Sequence, residues 1–334
     1  MIRRLATIAM IVGLIAPAIA GPARALRPGT VITNVENLTS YRYIDDSAGN
    51  ATGLRLDGFK LRYGRAGIRI GGDASDIVIR NGVCTTKGVN KGSDLPVCID
   101  LRGTVHDVLV EGVTASDHRM ISVPGKYTNG DGFSTEQGTR NITFRLSTSK
   151  ANSDGGFDLK GQGHTLDRTV AESNGRNYRF WETGKATAIV SRDPRGSDIW
   201  TGTDKYAVNW TIDGATFERT TGGLAPVVSG EGNVARLTLT NCTFRGFSPG
   251  VAMKKGKVTI IADASCQPDA KGYVVNTPVP IAAAALPGID LGEVLPDTND
   301  DGRIALSNKK ADQHKLPRGT VLRLLGGTRY EIVR

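Results

Sequence analysis

Two near copies of one short phrase, 23 residues apart, constrain the fold of this chain more than any other feature. The first copy is residues 129–133 (NGDGF) and the second is residues 152–157 (NSDGGF), with a fainter third at residues 174–177 (NGRN). A fixed period of this size is typical of a solenoid, in which each repeat is one coil. Residues one period apart then stack at the spacing of neighbouring strands, about 4.8 Å. The repeat therefore predicts a wall on which Asp131 and Asp154 lie above one another.

Short runs of alternating aliphatic residues, each followed by a turn, recur along most of the chain. They begin at residues 54, 77, 108, 142, 165, 188, 210, 237 and 258, so their base period is 22 to 23 residues and longer intervals mark insertions. A second run precedes most of them, and the alternation of a strand assigns its residues to two faces. The side chains predicted to form an inward apolar ladder are Ile68, Ile99, Phe133, Phe157 and Phe180. Those predicted to point outward are Arg69, Asp100, Ser134, Asp158 and Arg179.

These patterns predict an all-β chain that folds as a right-handed parallel β-helix, a single-stranded solenoid with about 22–23 residues per coil. The 42 glycines and the low aromatic content of 6% fit many short strands joined by turns. A propeller needs a period of about 40 residues or more, and a sandwich needs no fixed period. The leucine pattern of a leucine-rich repeat is absent from the sequence.

Segments of different composition bound the repeat region. Residues 1–25 have a basic start, an apolar run and two small-residue cleavage patterns, which predicts a secretory signal peptide rather than a membrane span. Residues 26–50 are expected to form an N-terminal cap with a candidate first coil, residues 51–267 the parallel β-helix, and residues 268–334 a C-terminal extension that caps the other end. The mature protein is then secreted or periplasmic, with no membrane insertion after cleavage.

The four cysteines are interpreted as two structural disulfides, because an exported protein meets an oxidising compartment. Cys84 and Cys98 bracket an inserted loop and would close its base. Cys242 and Cys266 are 24 residues apart, about one coil, so they are expected to face each other on adjacent coils. No CxxC or Cys/His pattern indicates a zinc site.

The formal net charge of +9 suits an acidic partner, and in an exported protein that partner is expected to be an acidic polysaccharide. Nucleic acid is excluded by the compartment and by the lack of a basic cluster with interleaved aromatic residues. The protein is expected to be a monomer.

The repeated phrases resemble those of polysaccharide-active β-helices of the pectate-lyase-like superfamily, and among these the family nine pectate lyases. The resemblance implies that aspartates on two successive coils bind one calcium ion and that a lysine on a nearby coil removes the C5 proton of a uronate sugar. The first aspartate matches Asp131, and the Asp-Asp-Gly-Phe-Asp-like phrase matches residues 154–158. The chain departs from that phrase at its second aspartate, where Gly155 stands.

The residue types agree with such a site. Calcium takes six to eight oxygen ligands, and the metal ligands expected are Asp131, Asp154 and Asp158. The catalytic residues expected are Lys160, Arg179 and Asp158, because an amine near a cation has a lowered pKa and an arginine fork suits a carboxylate. The residues expected to bind substrate are Glu136, His164, Arg176, Trp181 and Arg192. The function predicted is calcium-assisted β-elimination on a uronate-containing polysaccharide.

Two other functions remain open at this stage. One is a glycoside hydrolase that resembles polygalacturonases, with Asp131, Asp154 and Asp158 as its acid and base and no calcium. The other is a β-helix that binds polysaccharide without cleaving it, its asparagines and aspartates serving as hydrogen-bonded turn ladders. Residues 297–308 also match part of an EF-hand-like calcium loop, although position twelve is Asn308 rather than Glu, and a plain turn is the preferred interpretation.

Overall fold

The computed structural model describes Arg24 and residues 26–38, 40–90, 95–202, 207–231, 235–248 and 250–267, together with short stretches between residues 289 and 333. The elements of these residues are β-strands, numbered β1 to β30 along the chain, and one 3₁₀ turn at Ala264–Cys266. No helix in the described part of the chain is long and apolar enough to cross a membrane. The signal peptide predicted for residues 1–25 falls outside the described residues, apart from Arg24.

One long sheet of nine parallel strands carries the outward row predicted from the sequence. Its strands, in spatial order, are β2 (Arg42–Asp46), β4 (Ala66–Ile70), β7 (Val97–Leu101), β10 (Asp131–Thr135), β13 (Gly155–Leu159), β16 (Arg176–Phe180), β19 (Ser197–Thr201), β22 (Val228–Gly230) and β25 (Lys254–Gly256). Register partners along its outer face are Asp45, Arg69, Asp100, Ser134, Asp158, Arg179, Trp200, Ser229 and Lys255. The order follows the chain, so each return to this sheet adds one parallel strand.

The chain segments between those strands form a second sheet of fifteen parallel strands. Its first branch contains β1 (Val31–Asn37), β3 (Arg55–Tyr63), β5 (Ser75–Thr86), β8 (His106–Ser116), β11 (Arg140–Arg145), β14 (His164–Asp167), β17 (Thr183–Thr187), β20 (Val208–Asp213), β23 (Ala235–Thr240) and β26 (Thr259–Ala262). The second branch contains β12 (Thr148–Lys150), β15 (Val170–Glu172), β18 (Val190–Arg192), β21 (Thr216–Glu218) and β24 (Thr243–Arg245). The branches meet at β8, which is long enough to pair with both β11 and β12. The chain is therefore all-β with long parallel sheets, an arrangement compatible with a β-helix.

The inward row of the nine-stranded sheet forms an apolar ladder, with one correction to the sequence prediction. Phe133 stacks on Phe157 with ring centroids 4.9 Å apart, and Phe157 stacks on Tyr178 at 5.3 Å. Tyr178, and not Phe180, is the register partner of Phe157, because β16 aligns its first residue with the first residue of β13. Phe180 lies one row further along, where it stacks on the buried Trp210 at 3.9 Å.

The predicted strand start at residue 188 is also wrong. Ala188 has a φ of +51°, a left-handed conformation that interrupts a strand, and it follows the end of β17 at Thr187. The strand of this sequence repeat is β17, whose Ala186 pairs with Leu166.

A buried row of amide side chains lies where the second branch turns into the nine-stranded sheet. Asn152 donates from Nδ2 to Asn174 Oδ1 at 2.9 Å, and Asn174 donates in the same way to Asn177 Oδ1 at 3.0 Å. Asn177 continues the row by donating to Ser191 Oγ at 2.8 Å. All four residues are fully buried, so each bond satisfies a polar group that water cannot reach.

Both predicted disulfides are present, Cys84–Cys98 and Cys242–Cys266, and these bonds indicate an oxidising, extracellular type of compartment. The inserted loops, at residues 85–97 and 117–128, contain β6 (Val89–Asn90) and β9 (Arg119–Met120), which pair in parallel. The expected C-terminal extension contains a four-stranded antiparallel sheet, which is formed by β27 (Ile289–Asp290), β28 (Arg303–Ala305), β29 (Val321–Gly326) and β30 (Arg329–Val333). Apart from β28, the EF-hand-like segment 297–308 falls outside the described residues.

Candidate functional site

The candidate site lies on the outer face of β10, β13 and β16. Asp158 of β13 is flanked in register by Ser134 of β10 and by Arg179 of β16. Asp131 is aligned with Gly155, one residue beyond Asp154, so the two aspartates of the repeated phrase are offset by one position rather than directly stacked. Both are almost fully buried, at 5% and 3% exposure, because side chains of the same face cover them.

Arg179 is the centre of the site. Its Nη1 lies 2.7 Å from Asp154 Oδ2, 3.2 Å from Asp158 Oδ2 and 3.9 Å from Asp131 Oδ1. The guanidinium therefore compensates the mutual repulsion of the three carboxylates, which at these separations and this burial is large. Burial alone would lower the pKa of Arg179, but Asp158 and Asp154 outweigh it and raise the pKa above its usual range.

Further partners complete the hydrogen bonding of Asp154 and Asp158. Asp154 Oδ1 accepts from Arg176 Nη1 at 2.8 Å, and Asp154 Oδ2 accepts from the Tyr127 hydroxyl. Asp158 Oδ2 accepts from Lys160 Nζ at 3.1 Å, while its Oδ1 accepts from Trp181 Nε1 at 2.5 Å. The two carboxylates are thus held in fixed positions by donors from β16, from the residues that directly follow β13 and β16, and from the loop before β10.

Two of the carboxylates have pKa values that are pushed in opposite directions. Burial raises the pKa of Asp131 well above its usual value, and the charges of Asp154 and Asp158 raise it further. Burial would also raise the pKa of Asp158, but Arg179 and Lys160 outweigh burial and lower it. A pair of acids separated in this way is typical of acid–base catalysis, because one holds its proton while the other is ionised.

Lys160 is held in its charged form. Burial would lower its pKa, yet Asp158 and Glu136 raise the pKa above the usual lysine value. Its Nζ donates to Glu136 Oε1 and to Asp158 Oδ2, each at 3.1 Å. The lowered pKa expected from the sequence does not occur in this setting, so Lys160 suits the binding of an anion better than the removal of a proton.

A cavity of about 310 Å³ opens beside this network. Its charged lining consists of three cations and two carboxylates, namely Lys160, Arg176, Arg179, Asp158 and Glu231. Its other lining residues are Tyr127, Asn129, Trp181 and Trp200. Concave sites of this size with a few fixed polar groups are where ligands bind.

The two tryptophans hold the cations in place. Trp200 is covered by Arg179 and Arg176, whose guanidinium carbons lie 4.9 Å and 5.5 Å from the ring centroid. Trp181 packs edge-on against Trp200 with centroids 4.8 Å apart. Cation–π contacts of this kind stabilise a buried guanidinium. Sequence reasoning missed Trp200, although its place in β19, one strand beyond Arg179 on the outward face, could have indicated it.

Tyr127 and Glu231 were also not predicted. Tyr127 belongs to the inserted loop before β10, and Glu231 follows β22 and accepts from Trp200 Nε1 at 3.0 Å. Loop residues carry no periodicity, so the repeat pattern could not assign either to the site.

Two predicted substrate-binding residues lie elsewhere. His164 is fully buried inside β14 and contacts the Lys160 carbonyl oxygen at 2.9 Å, with burial lowering its pKa to about 4. Arg192 is in β18 of the fifteen-stranded sheet, where it bonds Glu172 and Glu218. Of the five residues expected to bind substrate, Arg176 and Trp181 line the cavity, and Glu136 is connected to it through Lys160.

The donor set around the three aspartates leaves no place for a calcium ion. The position between the three aspartates is taken by Arg179, and the oxygens of Asp154 and Asp158 already accept from protein donors. A Cβ at Gly155, where the resemblance has a further aspartate, would lie 2.7 Å from Asp131 Oδ1. Among the described residues, no group of three or more His, Cys, Asp or Glu side chains is arranged to hold a metal ion. The arrangement does not fit calcium, and calcium binding stays a prediction from the sequence.

Comparison with known proteins adds no assignment. No protein-family model, curated protein or solved structure matches this chain. A proposal for its function therefore rests on the parallel sheets, the two disulfides and the geometry of this cavity.

Proposed function

We propose that this protein is a secreted or periplasmic β-helix enzyme that binds a uronate-containing polysaccharide at the Arg179 cavity and hydrolyses it by acid–base catalysis. The observation that carries this proposal is the pair Asp131 and Asp158, which approach the same Arg179 nitrogen and have oppositely displaced pKa values. The alternative of a polygalacturonase-like hydrolase, left open by the sequence, thus becomes the preferred one.

The handedness of the β-helix and the length of its coils are part of the same proposal. Strands of the nine-stranded sheet alternate along the chain with strands of the fifteen-stranded sheet, which is the order that a continuous coil produces. Connections between parallel strands of one sheet are right-handed in almost all proteins. We therefore infer a right-handed coil of about 22–23 residues in its regular turns.

Asp158 is the proposed base. It lines the cavity, and Arg179 and Lys160 keep its carboxylate ionised by lowering its pKa. Asp131 is the proposed general acid, since its raised pKa keeps the carboxyl neutral at a pH where Asp158 is charged. In such a reaction, Asp158 activates a water molecule and the neutral carboxyl supplies the proton that the leaving sugar oxygen needs.

The cavity lining supports an acidic substrate. Lys160, Arg176 and Arg179 outnumber the two carboxylates Asp158 and Glu231, and the chain as a whole carries +9. Arginine pairs with a carboxylate through two parallel hydrogen bonds, so a uronate group suits Arg176, which is half-buried at the cavity wall.

Incubation with a panel of uronate polymers, each with added calcium or with a chelator, tests the proposal. We expect new reducing ends without the absorbance of unsaturated ends, and no effect of the chelator. Unsaturated ends that the chelator abolishes would instead establish calcium-assisted β-elimination, the function predicted from the sequence. Binding without either product would show a polysaccharide-binding protein, and neither binding nor products would refute the proposed substrate class.

A further inference from the structure

A second cluster of charges lies on the same outer face, nearer the N-terminus, and the site described above does not use it. Arg69 of β4 and Arg102, which follows β7, both donate from Nε to Asp100 Oδ2, at 2.9 Å and 2.6 Å. Arg42 pairs with Asp45, which lies three residues further along the same strand β2. Three guanidinium groups thus face two carboxylates, and one positive charge remains in excess.

The hydrogen bonding of this cluster is incomplete. Arg69 Nη2 and Arg42 Nε are buried, and neither donates to any described residue. Buried donors in folded proteins nearly always have an acceptor, whether from the protein, water or a ligand. Asp100 Oδ1 is in turn a buried acceptor without a hydrogen-bond partner among the described residues. The cluster therefore leaves donors and an acceptor open to a ligand that carries both carboxylate and hydroxyl groups.

The electrostatics of Arg69 agree with this expectation. Burial lowers its pKa, Asp100 raises it, and the neighbouring charges of Arg102 and Arg42 lower it again, so that the pKa ends below the usual arginine value. Arg69 differs in this from Arg179, whose carboxylate neighbours outweigh burial. The cluster around Arg69 therefore has too little negative charge of its own.

We propose that Arg42, Arg69 and Arg102 form an oxyanion-binding subsite that takes a carboxylate group of the same acidic polysaccharide. This inference rests on the proposed function for the identity of its ligand. The row from Arg69 through Asp100, Ser134 and Asp158 to Arg179 spans four strand spacings. At about 4.8 Å each, Arg69 lies roughly 19 Å from Arg179. A polymer that crosses the strands can reach from Arg179 to Arg69, whereas a disaccharide bound at Arg179 cannot.

The test compares chain lengths and one variant. Arg102 is the arginine to change, because its side chain is 40% exposed. When Arg102 is replaced, Asp100 keeps its ion pair with Arg69. Arg102→Gln is expected to weaken the binding of a long oligouronate about fivefold, as measured by calorimetry, and to leave the affinity for a uronate disaccharide unchanged. The variant is also expected to show a smaller loss of affinity with added salt.

Arg80→Gln is the matched control, since Arg80 is an exposed arginine paired with Asp57 on the fifteen-stranded sheet. If Arg102→Gln binds the long oligomer as well as the wild type does, the subsite is overturned while the proposed function stands. If no oligouronate binds the wild type, the proposed function fails, and the subsite is tested with inorganic sulfate alone. If sulfate binds the wild type and not Arg102→Gln, the three arginines form an oxyanion site. If sulfate does not bind the wild type, the oxyanion site is refuted.

Discussion

Arg179 Nη1 donates to Asp154 Oδ2 at 2.7 Å, and both side chains are nearly fully buried. A pair in this setting is strongly coupled, because neither charge has water as an alternative partner. The same nitrogen approaches Asp131 and Asp158, so one cation organises three acids on two stretches of the chain, at β10 and at β13. The site depends on that cation for its stability as well as for its chemistry.

Replacing Arg179 with Met is expected to lower the free energy of unfolding by about 3–5 kcal/mol at neutral pH, since it leaves buried carboxylates uncompensated. The loss should shrink at acid pH, where these carboxylates are protonated. Urea unfolding at several pH values measures both effects. The control is Arg80→Met, which breaks an exposed pair and should cost less than about 1 kcal/mol. Equal costs for the two variants would contradict the central role of Arg179.

Replacing Asp158 with Asn keeps the side-chain shape but removes the proposed base. We expect the rate of polysaccharide cleavage to fall about 10²–10⁴-fold, the usual contribution of a general base. The measurement is kcat with the uronate polymer that the wild type cleaves, alongside a binding assay. Asp167→Asn, on β14 of the other sheet, is the control and should cleave at the wild-type rate. Full activity in Asp158→Asn would eliminate the acid–base assignment.

His118 and His164 should each lower the stability as the pH falls from about 6.5 to about 4, while the raised pKa of Asp131 acts in the opposite direction. Burial lowers the pKa of His118 and of His164 to about 4. An unfolded histidine has a pKa of about 6.5. In this window the unfolded chain therefore binds protons that the folded chain does not, and each histidine contributes a slope of about 1.4 kcal/mol per pH unit.

The measurement for this prediction is the difference in slope between the wild type and His118→Gln. Asp198 acts in the opposite direction, because burial raises its pKa to about 6 and its folded form retains a proton as the pH falls. That contribution is common to both proteins, so it cancels in the difference. A slope that is unchanged in His118→Gln would show that His118 is not held neutral in the folded state.

The two disulfides should contribute comparably to stability. Cys84–Cys98 closes a loop with a sequence separation of 14 and Cys242–Cys266 one of 24, so chain-entropy arguments assign each about 3 kcal/mol and slightly more to the second. Urea unfolding of the two paired Cys→Ala variants tests this. A cost near zero for either pair would indicate that its coils are held by packing alone.

Periodicity predicted the parts of the fold that repeat. The outward positions of Arg69, Asp100, Ser134, Asp158 and Arg179 follow from strand alternation and are found in one register row. The sequence assigned Phe180 to the row of Phe157, but the turn before β16 shifts the register so that Tyr178 occupies that row. The pattern of apolar residues does not reveal the geometry of a turn, so it could not predict this shift.

The chemistry of the site was less accessible from the sequence. The convergence of Asp131, Asp154 and Asp158 was predicted, but the cation that joins them was assigned to a metal and not to Arg179. The direction of the Lys160 pKa depends on Glu136 and Asp158 lying on both sides of its amine, which is a three-dimensional property. Tyr127 and Trp200 reach the cavity from a loop and from a later strand, so no spacing rule connects them with Asp158.

The amide row from Asn152 to Ser191 has a consequence for how the molecule comes apart. Repeat proteins can lose their units one at a time, since each unit contacts only its neighbours. In this chain the row continues from Ser191 to the buried Asp198, and from there to Arg219, so that one continuous series of hydrogen bonds connects several sequence repeats. Unfolding a single repeat would leave a buried polar group without its hydrogen-bond partner at each end of that repeat. The middle of the molecule should therefore unfold in one cooperative step.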